Sequence, residues 1–191
     1  MRRVITVAMA CALLLCGCTS GRGREPENTV LAQVLGVDKW DGHYTLTVAG
    51  TDGAGDPVVW WVEEDSLEDA FEDLTEVGDR WLSLTGVTHL VLGDGTDPRE
   101  VLTFIIEESG MSWRATVWYA PIAGVTMRAL EDGGIARLEV LEQSGVETVS
   151  VLDVLVELED EGAVEVSALS VIDGELEHVG SVWYERSGGR K

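Results

Sequence analysis

The sequence is poor in cysteine, and all three of its cysteines fall at or before residue 18. A body that begins after that point has no thiol pair for an intramolecular disulfide, no Cys nucleophile and no Cys-based zinc site. Its apolar core has to suffice. Basic residues are scarce as well: 13 Lys and Arg stand against 35 Asp and Glu, for a formal charge of -22. Affinity for nucleic acid comes largely from cations that neutralise phosphates, so no nucleic-acid partner is expected. Anionic lipid headgroups are repelled for the same reason. A chain this acidic stays at a membrane only through a hydrophobic or covalent anchor. No apolar run reaches the ~20 residues that a spanning helix needs.

Chemistry-bearing motifs are missing too. There is no H-E-x-x-H, no G-x-S-x-G and no G-x-x-x-x-G-K-[ST]. The histidines, His43, His89 and His178, are far apart and each lies on an expected strand, which argues for ordinary strand residues rather than a zinc or hydrolytic site. Two loops, Asp52 to Asp56 and Asp94 to Asp97, offer oxygen ligands, but neither has the twelve-residue calcium-loop spacing, and both read as turns. The expectation is a protein with no catalytic residue, no cofactor and no metal.

What is present begins at the N-terminus. Arg2 and Arg3 precede an apolar run from Val4 to Leu15, and small Gly17 stands before Cys18. The run is too short to span a bilayer and is followed by polar, loop-like sequence, so residues 1–17 read as an export signal that is cut away. Leu15-Cys16-Gly17-Cys18 resembles the bacterial lipobox, which places cleavage between Gly17 and Cys18 and a lipid on the Cys18 thiol. Two acyl chains would hold stably where one is marginal. Loss of Arg2 and Arg3 takes the mature charge to about -24.

The body reads as α+β. Val30–Val37 and His43–Val48 form a hairpin across Asp38–Gly42, and Val58–Val62 either continues the second strand or makes a short third. Ser66 opens a helix whose apolar stripe runs from Leu67 to Trp81, capped through Asp69, with an acidic outer face. A strand, Val87–Leu92, leads to a helix with Asp97 as N-cap and Pro98 at its first position. Arg114–Ala120 is a further strand. A short helix over Val125–Glu131 ends at Gly133-Gly134, and a longer one runs from Gly145 through Glu159. The closing strands, Val164–Ile172 and Glu175–Trp183, flank the turn signal Asp173-Gly174. The doublet Trp60-Trp61 sends one ring to each face of an extended segment, so one ring either marks an interaction edge or lies over a neighbouring helix.

The order of segments resembles the C subunits of spore germinant receptors, the Ger(x)C lipoproteins. In that family a lipobox Cys is followed by a strand ending in a phrase like L-G-I-D-K and then a Val/Thr-rich strand. Here Val34-Leu-Gly-Val-Asp-Lys39 and Tyr44-Thr-Leu-Thr-Val48 stand in those places. The family's next strand, introduced by Gly and His and closed by Gly and an acid, is matched by Gly86-Val-Thr-His-Leu-Val-Leu-Gly-Asp94. Thr19-Ser20 depart from the family's Trp-Asp, and the sequence stops where members continue into a large C-terminal domain.

The resemblance covers Cys18 to Pro121, and more weakly runs to Tyr184. It implies a membrane-anchored subunit on the outer face of the spore inner membrane, working with membrane-embedded A and B subunits in nutrient-triggered germination, with no catalytic residue. A lipoprotein that captures a small solute or peptide is the alternative; a surface hydrolase is disfavoured by the scattered histidines. The expected organisation is a signal at 1–17, a tether at 18–29, an α+β domain at 30–132, a helix and hairpin at 133–185 that complete the domain or form a truncated second one, and a disordered tail at 186–191.

Overall fold

β1, Thr29–Trp40, is the axis of the molecule. The computed structural model describes residues 29–75, 81–128 and 134–186; the signal, the Gly17–Cys18 junction, the tether up to residue 28 and the tail from residue 187 lie outside the described residues. β1 pairs antiparallel with β2, His43–Thr51, and parallel with β5, His89–Leu92. A strand bonded on both sides and covered on both faces buries successive residues, which is why Val34 to Val37 is apolar without alternation. The hairpin turns at Asp41-Gly42, with φ of 51° and 90°, the left-handed pair that a two-residue hairpin requires.

β2 is flanked by β3, Pro57–Glu64, so the Trp60-Trp61 segment is a third strand and the sheet's edge. On the other side β5 is followed by β6, Thr116–Tyr119, then β8, Ala163–Ile172, and β9, Glu175–Glu185. The central strands β1, β5, β6 and β8 are mutually parallel, and antiparallel hairpins close both ends. Short β4, Trp81–Ser83, and β7, Val149–Ser150, complete a nine-stranded mixed sheet. With helices against it, this is the α+β class expected. β8 and β9 belong to the same sheet as β1, through the pairing of Tyr119 with Ala168.

Helices lie on both faces. On the first, α1 (Leu67–Thr75), α2 (Pro98–Glu108) and α5 (Val151–Asp160) cover Leu35, Leu90 and Val117. On the second, α3 (Ala123–Arg128) and α4 (Gly134–Gln143) cover Val34, Val91 and Trp118. Caps set the starts. Ser66 Oγ accepts from Asp69 N at 3.1 Å before α1, Asp97 accepts from Arg99 N at 2.9 Å before α2, and Ser150 and Asp153 form a reciprocal capping box before α5.

Three sequence expectations give way. The stripe carried to Trp81 does not stay helical: Trp81–Ser83 is β4, paired parallel with Thr29–Leu31, because three residues fit either period and an open strand end offers backbone partners. Gly134, expected as part of a stop, opens α4, in which the buried apolar residues are Leu138 and Leu141, too weak a stripe to announce a helix. The helix expected from Gly145 begins at Val151. The Ser150 capping box delays it, and Val151, Val154 and Leu158 face inward while Leu152 is exposed. The closing hairpin lies where expected, with Asp173 and Gly174 at φ of 53° and 86°.

Candidate functional site

The C-terminal ends of β1, β5 and β6 meet the start of α3, and Asp38 is at their junction. As the last but two residue of β1, it turns its carboxylate to the first turn of α3: Ala123 N donates to Oδ1 at 2.8 Å and Gly124 N donates to Oδ2 at 2.8 Å. Those N–H groups have no partner within a helix, so a carboxylate is the fitting acceptor. Burial pushes the Asp38 carboxyl above the usual carboxylate range, more strongly than the two N–H donors pull it down.

Two glycines make the arrangement possible. A Cβ on Gly93 would lie 1.8 Å from Asp38 Oδ1, and one on Gly36 would lie 2.9 Å from Met127 Cγ of α3. The phrases L-G-V-D-K and L-V-L-G-D are thus fitted to each other and to α3. Next to Asp38, Lys39 reaches toward the first face, donating to the Tyr44 hydroxyl and pairing with Glu100 at 3.2 Å, while Tyr44 donates to Glu100 at 2.6 Å. The Tyr44 hydroxyl and then Lys39 hold the Glu100 carboxyl below its ordinary range.

Beside this junction, between α3 and the second face of the β2–β3 hairpin, is a cavity of about 530 Å³. Open crevices at the carboxyl ends of parallel strands are the usual ligand sites of such sheets. Trp61 forms one wall, with the Arg128 guanidinium 5.3 Å from its ring centroid. Ile122 and Val125 line the opposite side and Trp40 the rim, and all four apolar residues are exposed. Thr45 and Thr47 form part of the lining. Thr47 is 3% exposed, and among the described residues its hydroxyl has no hydrogen-bond partner.

The residues marked by sequence have other duties. Cys18 and Gly17 lie outside the described residues. Asp52 accepts from Ala54 N at 2.9 Å and Asp56 N at 3.1 Å, which is a turn. Asp97 caps α2, and Asp94 accepts from the Tyr119 hydroxyl at 3.2 Å. No cluster of metal-ligating side chains occurs among the described residues.

The histidines stay on separate strands. His43 pairs with Asp65 at 2.8 Å, His178 is exposed on β9, and His89 is buried. His89 Nδ1 accepts from Trp118 Nε1 at 3.3 Å, with Glu142 of α4 at 3.6 Å. Burial pulls its pKa down, so it is a neutral core residue under α4.

Sequence reading found Trp61 through its doublet but missed Thr47, Ile122, Val125 and Arg128. Nothing in a lone Arg or an alternating Thr singles it out before the fold brings them together. Compared with family models, with curated proteins and with solved structures, the chain matches none.

Proposed function

We propose that this chain is a non-enzymatic lipoprotein, anchored through Cys18 on the extracytoplasmic side of a membrane, that serves as a subunit of a spore germinant receptor. On this reading it assembles with membrane-embedded A and B subunits at the outer face of the spore inner membrane. One observation carries the proposal: the two phrases on which the resemblance rests, far apart in sequence, meet where Gly93 makes room for the Asp38 carboxylate. They form one structural unit in this chain, not two coincidences of composition. The polar residues of that unit also have structural work, Asp38 on the start of α3 and Lys39 with Tyr44 and Glu100, which favours an assembly role over catalysis. No described helix is long and apolar enough to cross a membrane, so attachment is assigned to the lipid.

The test is mass spectrometry of the membrane fraction of spores from the native host, with wild type beside Cys18→Ala. Acylation at Cys18, co-purification with a multi-span partner and release of the variant are expected. Soluble, unacylated protein that is absent from spores would overturn both anchor and assignment.

A second reading, a lipoprotein that captures a small solute or peptide, is favoured by the cavity between α3 and the β2–β3 hairpin. Its polar groups and exposed apolar walls converge as ligand sites do.

A further inference from the structure

We infer that the cavity beneath α3 is a binding site for a neutral saccharide, a mono- or disaccharide laid against Trp61. The inference rests on the solute-binding reading and is independent of the lipid anchor. Size comes first: about 530 Å³ lies within the range of small-ligand pockets and is ample for one or two sugar rings.

The polar groups still available define the ligand's chemistry. Asp38 is taken up by the start of α3, Lys39 by Tyr44 and Glu100, and Asp94 by Tyr119. What remains free among the described residues is the Arg128 guanidinium, the Glu63 carboxylate and the hydroxyls of Thr45 and Thr47. That set contains strong donors, a strong acceptor and groups that do both, which is the complement of vicinal hydroxyls.

Charge narrows the class. Three carboxylates against two cations in the lining, inside a protein of formal charge -22, disfavour a net anion. A net cation is disfavoured because Lys39 and Arg128 are both in the lining and Arg128, 5.3 Å from the Trp61 ring centroid, repels a second cation there. A neutral ligand with one apolar face and a polar edge fits both constraints. The apolar face lies on Ile122, Val125 and the part of the Trp61 ring that stays open beside Arg128, the residue being 57% exposed, and Trp40, 84% exposed, is a second ring for a second sugar.

Independent of the charge argument is Thr47. Thr47 lines the cavity and is 3% exposed as a residue, and its hydroxyl, which is not shut off from solvent, has no hydrogen-bond partner among the described residues. A ligand hydroxyl would replace the water that this donor and acceptor otherwise bonds.

The test is calorimetric titration of the full acylated chain in a sugar-free detergent. The probes are methyl glucoside, N-acetylglucosamine, maltose and cellobiose, with glucuronate, glucosamine and alanine as the anionic, cationic and zwitterionic comparators. Saturable binding of at least one neutral sugar at millimolar concentration or below is expected. Trp61→Ala and Thr47→Val should each weaken it by about tenfold or more, while Trp183→Ala on β9 leaves it unchanged. Should Trp61→Ala fail to fold by circular dichroism, Arg128→Gln takes its place.

Binding of none of the four sugars, preference for a comparator, or sugar binding indifferent to Trp61 and Thr47 would overturn the site. Such a result with acylation and partner co-purification intact refutes the saccharide site alone. Sugar binding by a protein that is never acylated refutes the anchor alone.

Discussion

On the first face of the sheet three helices of nine to eleven residues cover a large apolar layer, with grooves between α1 and α2; on the second, a six-residue helix and a weakly amphipathic one leave a cavity beside the β2–β3 hairpin whose walls Trp61, Ile122 and Val125 are exposed. The first face is held by apolar burial, where each large side chain contributes roughly 1.5–3 kcal/mol. At the second, α3 buries Ala123 and Met127 and is held in addition by a carboxylate, Asp38, while Ile122, Val125 and Trp61 beside it are exposed. The difference separates what keeps the protein folded from what leaves room for a ligand. Both faces bury apolar side chains, the first the larger cluster, and the second leaves apolar residues exposed around its cavity.

The comparison breaks most visibly at Leu90 and Leu102, both fully buried on the first face. Leu102→Ala should cost about 2–5 kcal/mol in urea unfolding, whereas Val125→Ala on the cavity wall should stay within about 0.5 kcal/mol of wild type. Equal effects would mean that the two faces are not different in kind. Next in size is Asp38→Ala, which leaves two N–H groups at the start of α3 without their acceptor. A loss of about 1–3 kcal/mol is expected, with faster amide exchange at Ala123 and Gly124 as the local readout.

A pH series sharpens the comparison within the second face. The folded pKa of His89 lies below its ordinary value of 6.5, so the unfolded chain binds the proton more readily. Stability from this group is therefore fully present above about pH 6.5 and is lost as pH falls toward the folded pKa, at up to ~1.4 kcal/mol per pH unit. Asp38 acts in the opposite sense. Its folded pKa is raised, so its contribution is present at acid pH and is lost as pH rises through that pKa. Urea midpoints at several pH values for wild type, His89→Gln and Asp38→Asn should show the histidine variant with a flatter decline just below neutrality.

The smallest effect is expected outside both layers, at the surface cluster where Glu159 meets Arg99 and Arg186. Glu159→Gln should cost no more than about 1 kcal/mol and less in high salt, because the pairs are half exposed.

Much of the sheet was legible in the sequence because its signals are local. The capping residues Ser66 and Asp97, the turn pair Asp173-Gly174 and the unbroken apolar run Val34 to Val37 each declare an element within a few residues. The failures came where the deciding partner is distant or the stripe is faint. Trp81 becomes a strand because β1 has backbone groups to bond there, and α4 presents Leu138 and Leu141 too sparsely to be read as amphipathic. The cavity was least legible of all. Its residues come from β1, β2, β3, the loops after β5 and β6, and α3, so Trp61 was visible as half of a doublet, while Arg128 and Thr47 acquire meaning only through their neighbours.

Among the described residues the sheet ends on two strands, β3 and β9, whose outer backbone groups have no strand beside them. Each carries an exposed tryptophan, Trp61 or Trp183, together with Glu63 and Glu64 on one and Glu175, Glu177 and Glu185 on the other. Open edges of that length are templates for polymerisation, and like charge along both is what keeps neighbouring molecules from extending one another's sheets. The acidity of this protein thus has a colloidal role: crowded side by side, its copies repel through their own borders, and acid conditions that neutralise those borders would remove the protection.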